Sequence, residues 1–241
     1  MKVSFPVILS SQMALEKRLD TVANNVANAQ TVGFRAEGTR FEAVFSRVTG
    51  EQVVYSSVGK TQFSRQSGPM VKTGNMLDVA VQGDAWLALQ SPKGTIYTRD
   101  GRMSILPTGE LQSINGYSVL DVGGAPILLN AGDGPPTISR DGMITQAGKQ
   151  VGAIGLFEIP VGANLTRVDN SGVISDRPAV AVIEFSTNGI AQGFVEQSNV
   201  NPMMELSRLI EISRAFESMN SMVEQLERTT IDTIKTLGPG S

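Results

Sequence analysis

Two pairs of carboxylates, Asp84 with Asp100 and Asp78 with Glu110, are the side chains of this sequence that could most readily do chemistry. One protonated and one ionised acid flanking a glycosidic bond can cleave it. These four sit at the ends of short β-type runs, where acidic residues serve routinely as solvated turn formers, so a wall-degrading glycosidase is a rival reading that nothing in the sequence demands. A second candidate is Gly142 to Lys149, which holds a glycine and a Gly-Lys pair. Five residues separate its glycines rather than four, and Gln150 stands where a phosphate-binding loop needs Ser or Thr. Asn164-Leu165-Thr166 has the pattern of a glycosylation sequon and reads as an ordinary turn. Met70, Met76, Met203, Met204 and Met219 are expected to fill irregular packing rather than to mark a redox role. The chain holds no cysteine and no histidine. That removes disulfide frameworks, zinc fingers, Cys or His nucleophiles and any His-dependent triad. No catalytic residue, metal or cofactor is expected.

Composition narrows the partners. Of 241 residues, 41% are hydrophobic and 18% charged, enough apolar material for a real core. The formal net charge is −3. Basic residues are interleaved with acids, as in Glu16-Lys17-Arg18-Leu19-Asp20, instead of forming the cluster that nucleic-acid phosphates require. No apolar run approaches the roughly 18 residues of a membrane span. The N-terminal stretch Phe5 to Leu9 is too short for a secretory signal, and no small-residue cleavage site follows it. If the protein leaves the cytoplasm, it is expected to do so by a route that reads an uncleaved N-terminus. A thiol-free chain suits that passage, having nothing to mispair in an oxidising space.

The elements that would position any site fall into four segments. Residues 4 to 30 are expected to be helical, with Ser4 as cap and Pro6 in the tolerant first turn. Apolar residues recur at Ile8, Leu15, Leu19, Val22, Val26 and Ala29, the narrow seam of a coiled coil rather than the wider face of a globular helix. Gly33 supplies the permissive backbone that stops the helix. Residues 34–76 lack a sustained period and read as an extended arm with short strands. From 77 to 196, short runs such as Leu77 to Val81, Ala85 to Leu89, Thr95 to Thr98 and Tyr117 to Leu120 alternate with turn signals. Those include Pro92-Lys93-Gly94, Asp100-Gly101 and Asn115-Gly116, and the spacing predicts antiparallel β structure. Later strands are expected over Gly152 to Ile159 and Ala179 to Phe185. Pro202 opens a last helix running to about Leu237, its seam formed by Leu209, Ile212, Phe216, Met219, Val223, Leu226, Thr230, Thr233 and Leu237. At 1.5 Å per residue that helix spans about 54 Å, and a pattern of this length needs a partner. The fold class is therefore α+β. Long N- and C-terminal helices (1–33 and 197–241) pair as a coiled-coil-like module, with an arm (34–76) and an antiparallel β-rich domain (77–196) between them.

The segment Ala23-Asn24-Asn25-Val26-Ala27-Asn28-Ala29-Gln30-Thr31-Val32-Gly33-Phe34-Arg35 closely resembles the A-N-N-[aliphatic]-A-N-x-x-T-x-G-[aromatic]-[basic] signature of flagellar rod, hook and hook-associated proteins. Asparagine is a poor helix former, so three within five helical positions need a reason. Two further stretches agree. Gly193-Phe194-Val195-Glu196-Gln197-Ser198-Asn199-Val200-Asn201 with Arg214-Ala215-Phe216-Glu217 resembles the family's C-terminal pattern. Leu77 to Trp86 and Tyr97-Thr98-Arg99-Asp100-Gly101 resemble its β-domain core. Trp86, Pro107 to Leu111 and Gly124 to Ile127 lean toward the proximal-rod members over distal rod or hook relatives, which remain the alternative.

The resemblance implies a self-assembling structural protein of the flagellar basal body, exported by the flagellar type III apparatus. Its partners would be copies of itself and other rod proteins in a periplasmic helical shaft around an export channel. The bushing rings around the rod are a further candidate partner. Burying one aliphatic seam offsets only part of the entropy lost on ordering a helix, so the ends are expected to be mobile in the monomer and helical in the polymer. Assembly is expected to rest on Leu15, Leu19, Val22, Val26, Leu209, Ile212, Phe216, Met219, Val223 and Leu226. Asn24, Asn25, Asn28 and Gly33 would fix register, as a buried Asn does in coiled coils. A β-rich adhesin with coiled-coil ends is a further rival, and would normally carry a secretory signal.

Overall fold

The structure is a computed structural model describing residues 4–40, 43–48, 51–56 and 60–237; the side chains of 4–7, 43–48, 51–56, 131, 226–227, 230 and 232–237 lie outside that description. The chain divides into two compact units.

The first unit comprises 1–27, 37–62 and 201–241. It holds helix α1 (Ser4–Ala27), strands β1 (Glu37–Arg40), β2 (Ala43–Val48), β3 (Glu51–Ser56) and β4 (Lys60–Phe63, whose last residue falls in the second unit), and the long helix α2 (Pro202–Leu237). β2 and β3 form an antiparallel hairpin, β1 pairs with β4, and α1 packs against α2, β1 and β3. Gln12 Nε2 donates to Asn220 Oδ1 (3.4 Å) and Asn25 Nδ2 to Glu205 Oε2 (3.3 Å), so α1 and α2 run antiparallel. Of the expected seam of α2, Leu209, Ile212, Phe216, Met219 and Val223 are buried or half-buried, and Glu205, Ser213 and Asn220 join them on a wider face than the seam alone. Asn201 caps this helix, its side chain accepting from the Met204 amide. Helix α1 stops at Ala27, three residues short of the expected end. Asn28 there turns from helix former to turn former: its carbonyl accepts from the Thr31 amide and its side-chain oxygen from the Thr31 hydroxyl, each at 3.1 Å.

The second unit comprises 28–36 and 63–200. In chain order it contains β5 (Met70–Lys72), β6 (Val79–Gln82), β7 (Ala85–Ser91), β8 (Gly94–Thr98), β9 (Met103–Ile105), β10 (Leu111–Ser113) and β11 (Ser118–Val119). Then follow β12 (Thr137–Ile138), β13 (Met143–Gln146), β14 (Lys149–Ala153), β15 (Leu156–Glu158), β16 (Leu165–Val168), β17 (Gly172–Ser175), β18 (Val180–Ala181), β19 (Gly189–Gln192) and β20 (Phe194–Glu196). Its strands pair antiparallel. The largest sheet orders β16-β17-β8-β7-β11-β10-β9, with β15 joining β7 and β18; β12-β13-β14, β19-β6 and β20-β5 form smaller sheets.

β7 explains why the middle of the chain folds as it does. Ala85, Leu87 and Leu89 point into the main core with Val79, Ile96, Leu111, Val119 and Ile144, while Trp86 points to the opposite face with Ile159 and Val173. Both faces of the strand are covered, so the run is apolar at every position from 85 to 89 rather than alternating.

Three sequence expectations shift. The run expected over 152–159 splits into β14 and β15, because Ile154 and Gly155 donate elsewhere, to the carbonyls of Gly142 and Leu120. Only Val180 and Ala181 of the run 179–185 are strand. Met70, Met76, Met203 and Met204 are exposed on the chain rather than filling gaps in it; of the five, Met219 alone is half-buried.

Candidate functional site

The candidate enzymatic features dissolve into local structure. Asp84 pairs with Arg65 (3.0 Å), and Asp100 with Arg102 through both carboxylate oxygens (2.6 and 2.9 Å). Asp78 accepts from Asn75 Nδ2 (3.0 Å) and Glu110 from the Ser118 hydroxyl. Each acid has its own donor. The Gly142–Lys149 stretch lies across the β13–β14 hairpin, whose turn residues Ala147 and Gly148 both have positive φ (47° and 75°), and not on a loop entering a helix. The Asn164 amide groups bind the Asp176 carboxylate at 2.6 and 2.8 Å at the start of β16, so the sequon expected as a turn instead runs into a strand that takes up Leu165 and Thr166.

What the fold does assemble is a buried polar joint within the second unit. Gly33, Phe34 and Arg35 follow α1 in the chain; Arg99 and Asp100 follow β8; Glu196 ends β20 and Asn199 lies three residues beyond. Glu196 is 1% exposed and faces two arginines. Arg35 Nη2 approaches its Oε1 at 2.9 Å, and Arg99 Nε donates to Oε2 at 2.7 Å. Arg99, 0% exposed, satisfies its other donors on the carbonyls of Ala85, Val81 (2.8 Å) and Gly83 (3.0 Å). Arg35 Nη1 donates to the Arg65 carbonyl at 2.8 Å. Its Nε is the buried side-chain nitrogen that lacks a hydrogen-bond partner among the described residues. The Trp86 ring, 5.7 Å from Cζ, supplies a π face beside the guanidinium.

Two cations share one anion here, so the joint carries a buried excess of positive charge. Desolvation, then repulsion from Arg99, pushes the Arg35 guanidinium down to about 10 against the attraction of Glu196. Arg99 is lowered too, again chiefly by burial. Both remain cations at neutral pH, and Glu196 is the charge that makes their burial tolerable.

Backbone contacts close the joint. The Gly33 amide donates to the Glu196 carbonyl (2.8 Å), and Asn199 Oδ1 accepts from the Ala36 amide (2.7 Å). Asn199 Nδ2 reaches the Gln66 carbonyl (2.6 Å) and the Ser64 hydroxyl (3.0 Å). Gly33 has φ +70°, and a Cβ there would stand 2.2 Å from the Asp100 amide nitrogen. A second joint lies inside the first unit, at Asn25. Its side chain binds the Glu37 backbone twice (Nδ2 to O 2.8 Å, N to Oδ1 2.9 Å), as a strand neighbour would.

These residues are those of the sequence motifs, and the comparisons follow the same segments. Residues 7–35 match the family described as flagella basal body rod protein. Residues 80–175 match the flagellar hook protein FlgE/F/G D1 domain, and 191–230 the flagellar basal body rod FlgEFG protein C-terminal family. The flagellar basal-body rod protein FlgF of Mesorhizobium japonicum is 50% identical over 241 residues, the whole of both chains. The chain belongs to the FlgF-type flagellar basal-body rod proteins. FlgF of Rhizobium meliloti is 44% identical over 99% of each chain. FlgG of Bacillus subtilis is 30% identical over 89% of this chain and 91% of its own.

In this rod protein the residues singled out for assembly occupy two environments. Val22, Asn25, Gly33 and Ile212 are buried in the chain's own contacts; Leu15, Leu19, Asn24, Val26, Asn28, Leu209, Phe216, Met219 and Val223 are half-buried, and the side chain of Leu226 lies outside the described residues. The fold brings Asn25 against Glu37 and Glu205, and Gly33 against Asp100 and Glu196. The charged members of the joint, Arg35, Arg99 and Glu196, were not among the expected site residues. Their signal was an ionisable residue bordering an apolar one inside separate motifs, as in Phe34-Arg35 and Val195-Glu196.

Proposed function

We propose that this chain is a non-enzymatic structural subunit of the flagellar rod, of the proximal type. The full-length similarity to FlgF proteins carries the proposal. The terminal segments 1–33 and 197–241 form the assembly module, in which α1 and α2 pair in coiled-coil fashion and line the inside of the shaft, while the arm 34–76 packs on a neighbouring copy and the β-rich segment 77–196 faces outward. The assembly surface comprises Leu15, Leu19, Val22, Val26, Leu209, Ile212, Phe216, Met219, Val223 and Leu226, with Asn24, Asn25, Asn28 and Gly33 setting register. Partners are further copies and other rod proteins, whose repeated heterologous contacts build an open helical shaft. The subunit reaches the periplasm through the flagellar export apparatus.

Exposed apolar side chains on the helices support this reading. Leu9 and Met13 on α1, and Met203, Leu206 and Ile210 on α2, are 42–73% exposed, surface that packing between helices would cover. Leu209→Asp and Val223→Asp each place a charge in a half-buried seam and should abolish rod assembly while the β-rich unit keeps its circular dichroism and unfolding midpoint. Normal swimming with either change would count heavily against this assembly surface. Deleting the gene in its flagellated host should leave rods truncated near the inner-membrane ring in electron cryotomograms; complete rods and hooks would overturn the assignment.

A further inference from the structure

Arg167 of the β16–β17 hairpin reaches the signature turn. Arg167 Nη2 donates to the Arg35 carbonyl at 2.7 Å, across 132 residues of sequence, and Nη1 to the Asn170 carbonyl at 2.9 Å. Its guanidinium lies 4.2 Å from the Phe34 ring centroid and 4.8 Å from that of Phe63. Phe34 is 0% exposed. One planar cation thus covers the aromatic residue of the motif and holds the carbonyl of the next residue, a combination suited to arginine rather than lysine.

The strand that carries Arg167 is itself pinned. Arg167 pairs with Val173, and Val173 with Tyr97 of β8, so its Cα is part of the main sheet. At the hairpin tip, Tyr117 Oη donates to Asp169 Oδ2 at 2.8 Å, and Asp169 adopts φ +55°. At its base Asn164 and Asp176 are joined twice. The backbone from which the guanidinium reaches is therefore set by the β sheet and not by the signature turn.

We propose that Arg167 is a positioning residue, fixing how deeply Arg35 is inserted beside Glu196 and Trp86. Without it, the Arg35 carbonyl loses its charged donor and Phe34 loses a π partner, while Arg99 and Glu196 keep each other. The motif turn would then open locally in an otherwise intact unit. The inference concerns the folded subunit and does not depend on how copies assemble.

The single tryptophan offers a direct readout, since Trp86 is 3% exposed and stands beside Arg35. In Arg167→Ala, amide exchange at Gly33 and Ala36 should accelerate about tenfold to a hundredfold, the combined effect of a cation–π contact and a charged hydrogen bond. Trp86 emission should shift, with exchange in β7 and β10 unchanged. Arg167→Lys, which retains the charge over the rings but not the forked donors, should fall between the wild type and the alanine variant. Unchanged exchange and emission in Arg167→Ala would overturn the proposal, as would acceleration spread uniformly over the sheet. If Arg167→Ala does not fold, the lysine variant decides alone: localised acceleration at Gly33 and Ala36 supports the role, and wild-type exchange refutes it.

Discussion

Replacing Glu196 by alanine should lower the stability of the β-rich unit by about 4 kcal/mol, because it strands two buried guanidinium groups at once. Arg35 and Arg99 are 2% and 0% exposed, and Glu196 is the carboxylate in salt-bridge contact with both. The Gly68 amide, which donates to Glu196 Oε1 at 3.0 Å, loses its partner as well. For a unit of this size the change corresponds to a fall in thermal midpoint of about 10 °C. Glu196→Gln keeps the volume and one acceptor oxygen but presents an amide to an arginine, so about 2–3 kcal/mol is expected. Thermal or urea unfolding followed by circular dichroism measures both. A loss under about 1 kcal/mol in the alanine variant would mean that solvent enters the joint and that the arginines are not held as described.

Gly33→Ala should cost about 3 kcal/mol, from two separable sources: roughly 1 kcal/mol for a left-handed backbone that L side chains avoid, and the rest from displacing backbone. The Cβ would meet the Asp100 nitrogen at 2.2 Å and the Arg99 carbonyl carbon at 2.6 Å, and neither atom belongs to a side chain that could swing aside. The control is Gly116→Ala. Gly116 has a similar φ of +79°, but a Cβ there would meet nothing within 4 Å, so it should lose only the conformational part. That part is about 1 kcal/mol. Equal losses in the two variants, measured by urea unfolding, would show that the close approach of the signature turn to the 99–100 backbone carries no energetic weight. In the host, Gly33→Ala should also reduce swimming, since Arg35 and Phe34 cannot seat when the turn is pushed away.

Periodicity and punctuation made much of this protein legible from residues alone. The seam of α2 could be read because helical contacts repeat every three to four positions along a single stretch, and Leu209, Ile212, Phe216, Met219 and Val223 are buried or half-buried at that spacing. The hairpins could be read because turn chemistry is local: Pro92-Lys93 joins β7 to β8, and Asn115-Gly116 lies between β10 and β11. Motif order was enough to point to the family. The end of α1 was misjudged by three residues because Asn28 has two local options, helix or turn, and Thr31 decides between them.

Tertiary structure alone decided what the motif residues do. Glu196 meets Arg99 across 97 residues and Asn25 meets Glu205 across 180, pairings that no window along the chain contains. The sequence marks Asn25 and Gly33 as unusual for a helix and its end, but the groups they meet within the chain, the Glu37 backbone and the Asp100 amide, are set by the fold. Exposure is decided the same way. Met203 and Met204 are as apolar as Met219, yet they stand in solvent because they fall outside the face of α2 that packs. Local physics sets which elements form; burial, charge pairing and close backbone approach depend on which distant segments the folded chain brings together.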